Sequence, residues 1–194
     1  MSKLIIPYVT TNNSKFEEIT NFLNTGAKLP FEVVQDSLEV PEIQSEDQKE
    51  ITTFKALEAW KILKRPLLVE DAGIFFDKYD NFPGTFSKWI FKSLGFEGVC
   101  KLYQPGDSAH FQLTLCYLES PDSIHFFTGI GRGTLIAPKP GHNPNLPFSV
   151  LFVPNGHKKT YHELAQAKEH GPVSFRTKAL QAFIEWYATA HKAE

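Results

Sequence analysis

Two adjacent carboxylates, Glu70 and Asp71, stand inside the apolar run LLVEDAGIFF (67–76). Like charges placed there repel one another and lose hydration, so they call for cations or a phosphate-bound metal ion as neighbours. Magnesium suits such a pair, because it is held by one or two carboxylates together with substrate phosphates. Glu42, in the polar stretch VPEIQ (40–44), is a further candidate carboxylate. LLVE (67–70) reads as a central strand that ends at the pair, and in open α/β sheets ligands collect outside the C-terminal ends of strands. The competing reading of Glu70 and Asp71 is an acidic loop facing solvent.

Cations come from three other places. In TTNNSK (10–15), the small polar residues Thr10, Thr11, Asn12 and Asn13 would leave the first backbone N–H groups of a helix open to an anion, with the helix dipole in support. Lys15 opposes that dipole, and a phosphate would reconcile the two; the plain alternative is a capped helix with an exposed lysine. Lys55 shares a helical stripe with Ile51, Ala59 and Ile62, so it either points inward toward a ligand or snorkels at the stripe's edge. Arg176 in VSFR (173–176) falls in the first turn of the last helix, behind Ser174 as its cap, where a cation is again disfavoured. Taken singly, Arg176 reads as a surface residue. TTNNSK contains neither GxxxxGK nor GxGxxG. GIGRG (129–133) sits in strand-like sequence and reads as hairpin or bulge glycines. The seven histidines form no HExxH, and no serine has a His/Asp triad context.

A chain of 194 residues, 42% of them hydrophobic, can bury the core of one domain, with room for two lobes and a cleft between them. A net charge of −2 excludes the basic surface of a general nucleic-acid binder. Cys100 and Cys116 have no zinc-ligand spacing and suit a reducing compartment, so the expected location is the cytoplasm. No signal-length apolar region or membrane-length segment is present, so no membrane partner is expected. The elements that would position the chemistry are a strand at 3–9, a helix capped at Ser14, a strand at 31–35, a helix over about 47–64, and the strand at 67–70. A loop with Pro83-Gly84 then leads to helices at 86–94 and 97–103. Antiparallel strands fill 110–137, a proline-rich loop covers 137–147, FSVLFVP (148–154) reads as a strand, and a helix over 175–191 closes the chain. Its stripe is Phe175, Ala179, Ala182, Phe183, Trp186 and Ala190. Strand–loop–helix units followed by an antiparallel block predict an α/β protein with a mixed sheet.

Taken in order, TTNNSKFEEI (10–19), VPEIQ (40–44), ITTFKALEA (51–59), LLVEDAGIFF (67–76), FPGTFSKWIF (82–91), GRGTLIAP (131–138), VPNGHKKTYHEL (153–164) and VSFRTKAL (173–180) resemble the inosine triphosphate pyrophosphatase family. The resemblance spans nearly the whole chain, and VPEIQ and KWIF point to the eukaryotic branch. It implies an elongated α/β fold with a central mixed sheet, an active-site cleft between two lobes, and a homodimer. The implied activity is Mg²⁺-dependent hydrolysis of non-canonical purine nucleoside triphosphates, such as ITP, dITP or XTP, to the monophosphate and pyrophosphate. By position, Lys15 and the 10–14 backbone would hold phosphates, and Lys55 and Lys88 would contact the triphosphate. Glu42 and Asp71 would organise Mg²⁺, and Asp71 with Glu70 would orient or deprotonate the attacking water.

The departures gather at positions that the family uses around the base. Its aromatic-Gly-aromatic-Asp-Pro loop appears as Leu146-Pro147-Phe148-Ser149-Val150, leaving Phe148 as a face for base stacking. Its Ser-His-Arg appears as Ser174-Phe175-Arg176, and a lysine before it as His170. Base preference is therefore expected to be altered or relaxed. The alternative expectation is a nucleotide-binding protein of the same fold with weak or no catalysis.

Overall fold

The computed structural model describes residues 3–24, 29–141 and 146–191. Its elements are β1 (Leu4–Val9), α1 (Asn13–Leu23), β2 (Phe31–Asp36), α2 (Gln48–Leu63), β3 (Leu67–Phe76), β4 (Pro83–Gly84), α3 (Ser87–Val99), β5 (Ser108–Ser120), β6 (Ser123–Leu135), β7 (Phe152–Pro154), α4 (Tyr161–Gln166) and α5 (Phe175–Ala190). The strands form one mixed sheet in the order β2-β1-β3-β5-β6-β7, with β4 beside β3. β1 pairs in parallel with β2 and with β3, whereas β3 with β4 and β6 with β7 are antiparallel. The expected α/β class with a mixed sheet is the observed one. No helix among the described residues is long and apolar enough to cross a membrane.

The chain divides into two compact units. The first comprises Met1–Asp71, Leu113–Gly129 and Arg176–Glu194; the second comprises Ala72–Gln112 and Ile130–Phe175. In the first unit, strand alternation sends Leu67, Val69 and Asp71 to one face of the sheet and Leu68 and Glu70 to the other. On the first face, Ala56 and Ala59 of α2 pack with Val9, Leu67, Val69, Cys116 and Leu118. On the second, Phe183 of α5 lies 5.4 Å from the Phe31 ring and 5.1 Å from Tyr117, and Tyr187 lies 4.7 Å from Phe31. Each such fully buried apolar side chain contributes roughly 1.5–3 kcal/mol against exposure, which fixes both helices on the sheet.

The core of the second unit is aromatic. Phe76 meets Tyr103 and Phe148 edge-on at 5.7 and 6.2 Å, and Phe111 packs on Phe152 and Phe175. The glycine that follows the two carboxylates has a steric cause: a Cβ on Gly73 would lie 2.2 Å from the Gly84 carbonyl oxygen, so β4 can approach β3 only where a side chain is absent.

Several local expectations are corrected. β3 does not stop at Glu70 but runs ten residues to Phe76, which puts the carboxylates in mid-strand. The cap of α1 is Asn12, whose side chain accepts from the Lys15 N–H, rather than Ser14. The expected pair of helices at 86–94 and 97–103 is present within α3 as two helical pieces separated by the non-helical Gly95 (φ 59°, ψ −170°), but the second ends at Val99 rather than 103. FSVLFVP is a 3-10 turn, Pro147–Val150, followed by the three-residue β7; Pro147 has no N–H to give a sheet. Residues 142–145 of the expected proline-rich loop lie outside the described residues. Ile62 is 63% exposed, off the face that buries Ile51, Lys55 and Ala59. The buried stripe of α5 runs through Leu180 and Tyr187, while Ala190 is exposed. α4 was not foreseen; it opens with a capping box between Thr160 and Glu163.

Candidate active site

Continuing the β1–β3 register from Tyr8↔Leu68 sets Glu70 opposite Thr10, the first residue beyond β1. The carboxylates therefore do sit at a strand end, but the end is that of β1. Beyond it, the turn into α1 is held by Gln35, whose Nε2 donates to the Thr10 carbonyl (3.1 Å) and to Asn13 Oδ1 (3.0 Å). Thr11 and Asn13 are exposed beside the first turn of the helix.

Glu70 faces α1 and α5 and is 2% exposed. Its Oε1 accepts from Arg176 Nη2 at 2.8 Å and pairs with Lys15 Nζ at 2.9 Å. Its Oε2 accepts from Arg176 Nε at 2.8 Å and from the Tyr8 hydroxyl. The Arg176 guanidinium also donates to Glu18 on α1. Burial pulls the Glu70 carboxyl upward, but the Arg176 and Lys15 charges and the Arg176 and Tyr8 hydrogen bonds outweigh it and hold it well below the usual carboxylate range. A carboxylate with four donors and so little proton affinity is not a general base. The expectation that Glu70, with Asp71, orients or deprotonates the attacking water finds no support in this geometry, in which Glu70 anchors a buried charge network. Arg176 is likewise no surface residue; it is 6% exposed and spans two carboxylates. Tyr8 and Glu18 were missed from the sequence. Their only trace is a tyrosine in an apolar strand, whose hydroxyl must find a partner, and a glutamate one turn beyond Lys15.

Asp71 points to the opposite face, toward α2. Lys55, 8% exposed, donates to Glu42 Oε1 at 2.6 Å and to the Glu70 backbone carbonyl at 3.0 Å. This lysine points inward rather than snorkelling, as the carbonyl of a mid-strand residue offers it a fixed acceptor. Asp71 Oδ2 is buried without a hydrogen-bond partner. Burial pushes the Asp71 carboxyl up to about 6, against the pull of Lys55 and Lys15 and helped by the charges of Glu42 and Glu70. A carboxylate poised near neutrality with an unengaged oxygen is what proton removal from water requires. The same orphaned oxygen, with the Glu42 carboxylate in its electrostatic field, fits a hard divalent cation completed by substrate phosphates. Among the described residues no three His, Cys, Asp or Glu side chains form a self-sufficient metal cage.

The first unit thus brings together Lys15, Glu42, Lys55, Glu70, Asp71 and Arg176. The second holds Lys88, Phe148, Ser149, His170, Ser174 and Phe175. Lys88 is exposed in the first turn of α3, its ammonium 5.6 Å from the Trp89 ring centroid. Phe148 is 2% exposed and packed edge-on between Phe76 and Phe91, so it does not present a face for a base to stack on. Phe175 is fully buried, stacked on Phe111 at 5.0 Å and Tyr161 at 5.6 Å, and acts as core rather than base reader. Ser149 is buried with no partner for its hydroxyl, Ser174 is buried and extended just before α5, and His170 packs edge-on to Tyr161.

The Ham1 family model matches residues 6–186. A dITP/XTP pyrophosphatase of Methanopyrus kandleri is 34% identical over 182 residues, covering 93% of this chain and 94% of its own. The inosine triphosphate pyrophosphatase of Saccharomyces cerevisiae is 29% identical over 195 residues, with 96% and 97% covered. Among solved structures, a HAM1 protein from Coxiella burnetii superposes with a TM-score of 0.75 at 20% identity, over 96% of this chain and 99% of that one. The mixed sheet with its flanking helices is the fold those structures share, and the family match takes in both the Lys15–Glu70–Arg176 anchor and the Asp71–Lys55–Glu42 group: this chain belongs to the Ham1 family.

Proposed function

We propose that the protein is a Mg²⁺-dependent nucleoside triphosphate pyrophosphatase that cleaves non-canonical purine nucleoside triphosphates, such as ITP, dITP or XTP, to the monophosphate and pyrophosphate. The observation that carries this reading is the half-buried Asp71: its carboxyl is pushed up to about 6, and its Oδ2 is buried and unpartnered beside two lysines. Asp71 would accept a proton from the attacking water as the α–β phosphoanhydride bond breaks and pyrophosphate leaves. Lys15 and Lys55 would offset charge accumulating on the phosphate oxygens, and the α1 N-terminus would receive a terminal phosphate on its N–H groups. Asp71 and Glu42 would hold Mg²⁺, which supplies Lewis-acid polarisation of the phosphoryl group when bound. The names of the relatives support the purine triphosphate class.

Base preference is expected to differ from the inosine and xanthosine enzymes, because Phe148 and Phe175 are core side chains and Ser149 offers a single hydroxyl. The family resemblance implies a homodimer, and the cysteine usage suits the cytoplasm; sedimentation of the purified protein would test the assembly. A binding-only protein gains no support from a site in which Asp71, Lys55 and Glu42 are retained together. Pyrophosphate release with Mg²⁺ across inosine, xanthosine and the standard triphosphates, with Asp71→Asn as control, tests the activity. No release from any nucleotide would refute it.

A further inference from the structure

Glu70 shares its four donors evenly: Arg176 Nη2 and Lys15 Nζ on Oε1, Arg176 Nε and the Tyr8 hydroxyl on Oε2. The arrangement poses a problem for catalysis. Lys15 is the only one of these donors with appreciable exposure, 28%, yet its ammonium is tied to Glu70. To meet a phosphate it must let go of a fully buried anion, and a buried carboxylate stripped of a donor is costly.

We propose that Tyr8 is a positioning residue that lets Lys15 pass from Glu70 to a substrate phosphate: its hydroxyl, with the two Arg176 contacts, keeps Glu70 satisfied when Lys15 leaves. The geometry supports this division of labour. Tyr8 lies in β1 opposite Leu68, so its side chain shares the sheet face of Glu70, and the phenol is fully buried and cannot follow a ligand. Its ring packs 6.4 Å from Phe16 of α1, the residue after Lys15, which holds the hydroxyl in place while the flexible lysine stem moves. Without the phenol, Oε2 keeps Arg176 Nε alone, more of the charge on Glu70 falls to Lys15, and the lysine is retained. This inference rests on the reading of Lys15 as a phosphate ligand.

The test is the isosteric Tyr8→Phe protein, alone and combined with Lys15→Ala. Loss of a hydrogen bond to a charged group should raise KM for the triphosphate by about tenfold with kcat nearly unchanged, and in the Lys15→Ala background the same change should have no further effect. Replacing Tyr8 with 3-fluorotyrosine, a stronger donor of nearly the same size, should lower KM, and this arm decides the matter if Tyr8→Phe fails to fold. Calorimetric binding of inorganic tripolyphosphate gives the same comparison without turnover, so a protein inactive on every nucleotide would refute the proposed activity while leaving the exchange measurable. An unchanged KM and tripolyphosphate affinity in Tyr8→Phe, a fall in kcat alone, or an equal KM rise with and without Lys15 would each overturn the proposal.

Discussion

Glu70 and Asp71 are neighbours in one strand, and their side chains leave it in opposite directions into opposite electrostatic surroundings. Glu70 meets Arg176, Lys15 and Tyr8 and is held ionised; Asp71 keeps a buried oxygen without a partner and is pushed up to about 6. Strand alternation sends the two side chains to different partners, which is what separates the anchor from the proposed base.

Asp71→Asn should remove the proposed base and proposed metal ligand while preserving shape. Pyrophosphate release is expected to fall by about 10³-fold or more, in the upper part of the 10²–10⁴ typical of a lost general base because the metal is also weakened. In the presence of a chelator the same variant should be more stable than the parent above pH 6, by on the order of 1–2 kcal/mol, because the parent must ionise a buried carboxyl there. Chemical denaturation at pH 7.5 with chelator checks the sign.

The two carboxylates should shape the pH dependence of stability in opposite ways. The folded-state value of Glu70 is depressed, so its contribution is present above the ordinary glutamate range, near 4.5, and is lost as pH falls below it. Asp71 is raised from 3.8 to about 6, so its contribution is full below 3.8 and is lost as pH rises through 6. Melting temperatures of the chelated protein between pH 3 and 8 should therefore show an acid limb that Glu70→Gln flattens and a downward contribution between pH 3.8 and about 6 that Asp71→Asn removes.

Arg176→Ala should be among the most damaging changes in the first unit. It takes two of its four donors from the buried Glu70 and an ion-pair partner from Glu18, and breaking a buried pair by removing one member costs about 3–5 kcal/mol. A drop in the urea midpoint without a change in slope is the expected signature. A variant as stable as the parent would show that the guanidinium is not the anchor described above.

Phe175→Ala should cost roughly 3–5 kcal/mol by opening the stack with Phe111 and Tyr161, as large-to-small changes of buried aromatics do. The order of preference among bases should hardly change in the fraction that remains folded. A reordered preference with unaltered stability would instead make Phe175 a base-contacting residue.

Much of the site was legible in the sequence because its signals were local. Lys55 could be placed on a buried stripe from spacing, and the carboxylates drew notice because charge interrupts an apolar run. The fate of Glu70 was not legible: Tyr8, Lys15 and Arg176 reach it from three elements, with Arg176 106 residues away, and no window of sequence contains that convergence. The aromatic positions failed for a different reason. A phenylalanine carries no sign of whether its faces will be buried by neighbours or left for a ligand, and Phe148 and Phe175 are both buried. The end of β3 was misplaced because two charged residues look like a boundary, while the backbone bonds of a strand continue regardless of the side chains they carry.

The mid-strand position of Glu70 and Asp71 also governs which genetic changes the protein can absorb. Deleting or inserting one residue between Leu67 and Val69 would turn every following side chain to the other face, moving the anchoring position toward α2 and the basic one into the arginine network. Length variation should therefore be tolerated in the connecting loops and refused within these few residues, even where each amino acid type is kept.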